Sequence, residues 1–285
     1  MERAQEAPVP GSVDAAPPAR GAALVKRILS TVVLLPVFVG IVMGPVWLFG
    51  ATVVLVSAVA QWEFTGMFER AGVRTFRWLG LVGGTAVTAS FALPISERVA
   101  FTGVLLAVLL SALWRPRGAR LAWEPVAVTL FGICYVNWLL GYGFWLRDLS
   151  GGSDWVLLLV WVTWLGETAA YVVGSTLGRT KLAPVISPRK TVEGAAAQLV
   201  VSLLAAVVAQ VWFFTEIGLG RAAGAGLLLG AVGQFGDLVE SALKRSVGTK
   251  DTGALIPGHG GILDRLDSLL FNTPALFYYT RFMAA

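Results

Sequence analysis

Apolar residues fall into nine runs along the chain, at 28–43, 46–61, 78–93, 99–114, 126–146, 155–174, 196–214, 222–235 and 266–279. Since about 20 apolar residues cross the hydrocarbon core of a bilayer, runs of this kind predict membrane-spanning helices. The first two meet at Gly44-Pro45, and the eighth is short and rich in glycine. The pairs Gly80 with Gly84 and Gly226 with Gly230 have the small-xxx-small spacing that lets membrane helices approach closely. Ahead of the first run, residues 1–23 are rich in Ala and Pro without apolar periodicity, and read as a disordered tail. The tail lacks the basic start and early apolar region of a cleavable signal, so the first helix is expected to serve as its own insertion signal.

Composition agrees with this pattern. Of 285 residues, 56% are hydrophobic and only 14% charged, against roughly 25% charged in ordinary soluble domains. That excludes a water-soluble globular enzyme and a disordered chain, because the polar surface is too small to solvate the outside. The distribution of charge then sets topology. With the N-terminus placed in the cytoplasm, 18 of the 22 Lys and Arg residues fall on the inner side, and Arg98, Arg147, Arg221 and Arg281 alone on the outer side. The expected fold class is all-α, a polytopic integral membrane protein of about nine transmembrane helices with a cytoplasmic N-terminus. It divides into the tail at 1–23, N-terminal transmembrane helices at 24–150 and a C-terminal catalytic region at 151–285, within one membrane domain. The net charge of +5 reads as a topology signal, not as affinity for nucleic acid. Cys134 is the only cysteine, so a disulfide within the chain and a Cys-based metal site are excluded, and its apolar setting suggests a packing role.

The scarce charges concentrate between Asp237 and Asp267, which hold five of the 17 carboxylates and the only histidine, His259. Asp237, Glu240, Ser241 and Lys244 follow i, i+3, i+4, i+7, one face of a helix that extends the eighth run, while Asp264 and Asp267 are i, i+3 at the start of the ninth. Carboxylates at membrane level are costly unless paired or bound to metal. Magnesium binds through one or two carboxylates together with substrate phosphates, and Lys244, Arg245 and Lys250 are placed to neutralise phosphate oxygens. Between the acids lies a glycine-rich loop, Gly253 to Gly261, whose amides have close access to phosphates. These features ask for a polyphosphate substrate and a divalent metal. A second polar island holds Glu167 within an apolar run, then Arg179, Lys181 and Ser187-Pro-Arg-Lys-Thr-Val-Glu-Gly194. Glu63, at the end of the second run, reads as an interfacial residue.

The 27 residues from Ser241 to Asp267, SALKRSVGTKDTGALIPGHGGILDRLD, resemble the signature of phosphatidate cytidylyltransferases, also called CDP-diacylglycerol synthases. The upstream GQFGD ending at Asp237 and the Ser187–Gly194 segment resemble the same family, which covers about residues 160–275; the N-terminal runs match in hydropathy only. Two departures are Glu167 where the family usually has Asp, and Val192 where it has an aromatic. The resemblance implies an enzyme of the bacterial inner (plasma) membrane with its active site facing the cytoplasm. It would join CTP and phosphatidic acid to give CDP-diacylglycerol and pyrophosphate, with Mg2+ as one or two ions near Asp237 and Asp264.

On that basis the expected catalytic residues are Asp237, Lys244, Arg245, Lys250, Asp251, His259, Asp264 and Asp267, with Asp237 and Asp264 as metal ligands. Ser187, Arg189, Lys190, Glu193, Ser241, Gly260, Gly261 and Arg265 are expected to bind substrate. His259 fits two roles equally, an acid assisting departure of the leaving group or a loop hydrogen-bond donor. The expected partners are CTP, phosphatidic acid and the lipid bilayer, with no nucleic acid and room for a homodimer. Two rival readings stay open on the residues alone. One is a CTP-dependent polyprenol or phytol kinase, which transfers the terminal phosphate instead; the other is a transporter, although the paired interrupted helices of repeated transporter halves are missing.

Overall fold

The computed structural model describes residues 35–114, 123–253 and 260–284. The expected tail at 1–23, the Arg115–Arg120 loop and His259 lie outside them. Among the described residues there are nine helices, each overlapping one of the nine apolar runs. They are α1 (35–43), α2 (Val46–Arg70), α3 (Arg77–Ser90), α4 (Glu97–Ser111), α5 (Trp123–Arg147), α6 (Gly152–Thr176), α7 (Val192–Trp212), α8 (Leu219–Ser246) and α9 (Asp267–Ala284). Five of these, α2, α5, α6, α7 and α8, are long and apolar enough to cross a membrane. A short antiparallel hairpin of β1 (Lys181–Ala183) and β2 (Ser187–Thr191) precedes α7, an addition to the all-helical expectation.

Local chemistry sets the ends that matter for function. Thr191 caps α7 by accepting the Gly194 N–H at 3.1 Å, which ties β2 directly to the helix start. At 28 residues α8 is about 42 Å long against a hydrocarbon core of about 30 Å, so it is longer than a span requires, and the residues from Asp237 onward form its polar last turns. Its end is closed by Gly248 at φ +68°, with the Thr249 N–H on the Lys244 carbonyl and the Gly248 N–H on that of Arg245. Only glycine takes that left-handed backbone without strain, and the reversal sends residues 249–253 back toward the bundle.

Packing runs in series, α6 on α7, α7 on α8 and α8 on α9, while α9 also packs on α5 and α2 on α3. Three buried apolar clusters result, joined at Val53 of α2, which touches all of them. The small-residue pairs lie at crossings as expected: a side chain at Gly226 or Gly230 would collide with Ser202 of α7, and one at Gly84 with Asn137 of α5. Polar side chains are buried inside, among them Gln61, Thr88, Thr129 and Asn137, while Trp47, Leu55, Trp78, Val211 and Phe282 stand exposed. That arrangement suits an apolar solvent. Cys134 departs from its expected packing role: it lies in a π-helical turn, Ile133–Trp138, that faces it outward. Glu63 departs too, for it is buried under the signature loop instead of lying at the interface.

Candidate active site

The polar end of α8, the hairpin strand β2, the return after α8 and the start of α9 meet at one end of the bundle. The centre is Lys244, whose Nζ donates to Glu240 Oε1 at 3.0 Å, one turn earlier on α8, and to Asp264 Oδ1 at 2.9 Å. Glu240 is almost wholly buried and its other oxygen has no partner among the described residues. Asp264 gathers four donor groups: Lys244, the Thr252 N–H at 3.0 Å, the Thr252 hydroxyl at 2.9 Å and the Gly261 N–H at 2.9 Å. Burial alone would raise this carboxyl, but the Lys244 ammonium and the Gly261 and Thr252 hydrogen bonds outweigh it and hold it below its ordinary value.

The second pair crosses elements. Lys190 of β2 reaches Asp237 Oδ2 of α8 at 2.7 Å, and Ser241 is placed at 3.4 Å from Asp237 Oδ1. Here the hairpin has its use, since it carries a cation from the second polar island onto the signature helix. Glu167 of α6 and Asp267 at the start of α9 lie within electrostatic range of Asp237 and of each other, with Arg265 and Lys190 acting on Glu167. The backbone of Asp267 is so close to α8 that a side chain at Gly236 would come within 2.5 Å of its carbonyl oxygen.

Other expected residues sit differently. Glu193 accepts the Arg179 and Thr180 N–H groups, both at 3.1 Å, and so fastens the turn before β1. Arg245 donates to the Thr249 carbonyl at 2.9 Å and closes the end of α8. Arg189, Lys250 and Asp251 are exposed, Ser187 is half-buried on β2, and Gly260 takes a positive φ of 80° beside Asp264. Thr252, Glu240, Glu63 and Arg70 were not expected at the site. Glu240 had a signal, its i, i+4 spacing to Lys244, and Thr252 lies within the signature, 12 residues from Asp264; Glu63 and Arg70 had none, because their partners are 200 and 182 residues away.

No three Asp, Glu, His or Cys side chains among the described residues form a ready-made metal cage. The donor chemistry nevertheless fits a hard cation. Glu167, Asp237, Glu240, Asp264 and Asp267 bring five carboxyl groups together beside Lys190, Lys244 and Arg265, and carboxyl oxygens are the donors that such an ion takes. Asp264 carries four donor groups, against the Lys190 and Ser241 contacts of Asp237 and the Ser268 N–H on Asp267 Oδ1, so Asp237, Asp267 and Glu167 are the less crowded donors.

Beside this cluster lies an apolar cavity of about 230 Å³ between α1, α2, α5, α6 and α9. Phe38, Phe49, Val56 and Trp164 line it, and Arg265 is its one charged lining residue among those described. A larger cavity of about 790 Å³, lined by Glu97, Arg98, Asp148 and Arg281, lies at the other end of α9 and shares none of these groups.

Residues 25–283 match the model of the cytidylyltransferase family, which is nearly the whole chain. The chain belongs to that family. Among curated relatives it is 41% identical over 157 residues to a phosphatidate cytidylyltransferase of Staphylococcus saprophyticus, covering 55% of this chain and 60% of that protein. A phosphatidate cytidylyltransferase of Staphylococcus aureus strain COL is 40% identical over the same shares of the two chains. YnbB of Escherichia coli K12, named as uncharacterized, is 39% identical over 155 residues, 54% of this chain and 51% of its own length. The chain therefore spans about three fifths or less of the relatives it matches.

Proposed function

We propose that this member of the cytidylyltransferase family transfers the cytidylyl group of CTP to phosphatidic acid, giving CDP-diacylglycerol and pyrophosphate. The observation that carries the reading is the meeting of two lysine–carboxylate pairs, Lys190–Asp237 and Lys244–Asp264, from three separate elements beside an apolar cavity edged by Arg265. A phosphate oxygen of the lipid attacks the α phosphorus of CTP, a new P–O bond forms, and the bond to the β,γ-pyrophosphate breaks. The attacking oxygen is already deprotonated at neutral pH, so no general base is needed. Repulsion between two anions is the main barrier.

This chain's residues answer that barrier with positioned cations. Lys244, fixed from both sides by Glu240 and Asp264, faces the triphosphate with its charge held in place, and donors fixed before the reaction lower the barrier most. Lys190 on β2 and Arg265 before α9 hold the lipid phosphate, and the apolar cavity takes part of an acyl chain. Exposed Arg189, Arg245 and Lys250 draw the nucleotide in from the cytoplasm, a reading supported by the excess of basic residues on the side assigned to the cytoplasm from sequence. Asp237, with Asp267 and Glu167, would hold magnesium. When bound, the ion supplies charge neutralisation between the two phosphates.

The test is product analysis with purified full-length protein, phosphatidate in mixed micelles and CTP labelled at the α or γ phosphate. CDP-diacylglycerol carrying the α label, with pyrophosphate released, is the expected outcome. Transfer of the γ label to lipid with release of CDP would replace the reading with a lipid kinase, and an inert CTP would refute both. Chelation by EDTA should abolish turnover and magnesium restore it.

A further inference from the structure

The glycines of the signature loop leave room for a carboxylate from the other half of the chain. Glu63 of α2 is 6% exposed, and its Oε2 accepts the Leu263 N–H at 2.9 Å across 200 residues of sequence. A side-chain carbon at Gly253 would come within 2.6 Å of Glu63 Oε1, and one at Gly261 within 2.5 Å of Oε2. Two turns farther along the same face of α2, Arg70 Nη2 donates to the Thr252 carbonyl at 2.6 Å. Helix α2 thus grips both flanks of the loop, Arg70 the incoming side and Glu63 the outgoing side. The grip bears directly on Asp264. Thr252, held by Arg70, and Gly261, packed on Glu63, are the residues whose amides orient the Asp264 carboxylate, which in turn holds Lys244. Glu63 Oε1 has no hydrogen-bond partner among the described residues. Burying a carboxylate in that state costs stability, and an apolar side chain would fill the space without that cost.

We infer that Glu63, together with Arg70, is a positioning residue for the nucleotide site: α2 shapes the signature loop so that Lys244 and Asp264 are presented to the phosphates of CTP. The inference rests on the cytidylyltransferase reading above. Glu63 acts through the loop backbone and touches no substrate.

Full-length wild type, Glu63→Ala, Glu63→Gln and Arg70→Gln are compared in phosphatidate mixed micelles. Glu63→Ala is expected to raise KM for CTP about tenfold, the scale of one lost charge-assisted hydrogen bond, while KM for phosphatidate stays within about twofold. Glu63→Gln keeps an acceptor oxygen for the Leu263 N–H and should recover most of the affinity. Without nucleotide, backbone hydrogen exchange at residues 260–264 should be faster in Glu63→Ala than in wild type. If Glu63→Ala does not assemble, Arg70→Gln carries the test at the other flank, with the same shift in KM for CTP. A KM for CTP that stays at the wild-type value overturns the inference, whether or not exchange speeds up, because a packing role changes only the folded fraction and kcat. A wild type that neither binds nor turns over CTP would refute the reading of function instead.

Discussion

Lys244 offers a separation of structural from chemical roles, because the residue that should meet the triphosphate also neutralises a buried carboxylate. Lys244→Met removes two charge-assisted hydrogen bonds, at 3.0 and 2.9 Å, from a side chain only 15% exposed, and leaves Glu240, 1% exposed, without its cation. Breaking a buried pair from one side costs about 3–5 kcal/mol. Asp264 keeps Thr252 and Gly261, so the penalty falls mainly on Glu240. Glu240→Gln combined with Lys244→Met removes the orphaned charge and should regain most of that loss. Activity should behave otherwise: a fixed cation facing the reacting phosphates contributes about 100- to 1,000-fold to the rate, and the double variant stays as slow as the single one. The assay pairs detergent unfolding curves with CTP-dependent turnover per folded molecule. Recovery of turnover in the double variant would show that Lys244 serves the fold alone. A stability loss below about 1 kcal/mol in Lys244→Met would refute the buried-pair argument.

Three further outcomes follow from the geometry. Lys190→Met breaks a partly exposed pair with Asp237, so it should change stability by about 1 kcal/mol or less while slowing turnover strongly, read by the same two assays. The Asp264 carboxyl lies below its ordinary value in the folded protein, so its contribution is fully present above about pH 4 and is lost as pH falls below that through the lower folded value; Asp264→Asn should flatten the acid limb of an unfolding-versus-pH curve, and an unchanged limb would remove Asp264 from that account. Val56→Trp places an indole in the 230 Å³ apolar cavity and should raise KM for long-chain phosphatidate more than for short-chain phosphatidate, with KM for CTP unchanged.

Much of the helical framework was legible because burial in a bilayer is a local demand, met residue by residue along each run. Where the reading stopped short, the reason is also local. The apolar signal of the eighth run ends at Phe235, and only the i, i+3, i+4, i+7 spacing of Asp237, Glu240, Ser241 and Lys244 announced the continuation that α8 makes to Ser246, where pairs such as Glu240–Lys244 support the polar turns. The β1–β2 hairpin went unread, because a five-residue strand of Ser, Pro, Arg, Lys and Thr shows no alternation of apolar and polar positions. At the site, clustering of scarce charge pointed to Asp237, Lys244, Asp264 and Asp267, and the structure gathers all four at one end of the bundle.

The sequence by itself determined the class of solvent, the helical runs and the stretch of chain where chemistry is concentrated, since each depends on composition and phase over a few turns. Tertiary structure alone decided the pairings: Lys190 with Asp237, Thr252 and Gly261 with Asp264, and Glu63 with the signature loop. A carboxylate takes its environment from whatever the fold brings within a few ångströms, and spacing along the chain carries no record of a partner 200 residues away. For that reason the glycines at 253 and 261, which in sequence suggested an approach to phosphate, are seen in the structure to make room for Glu63.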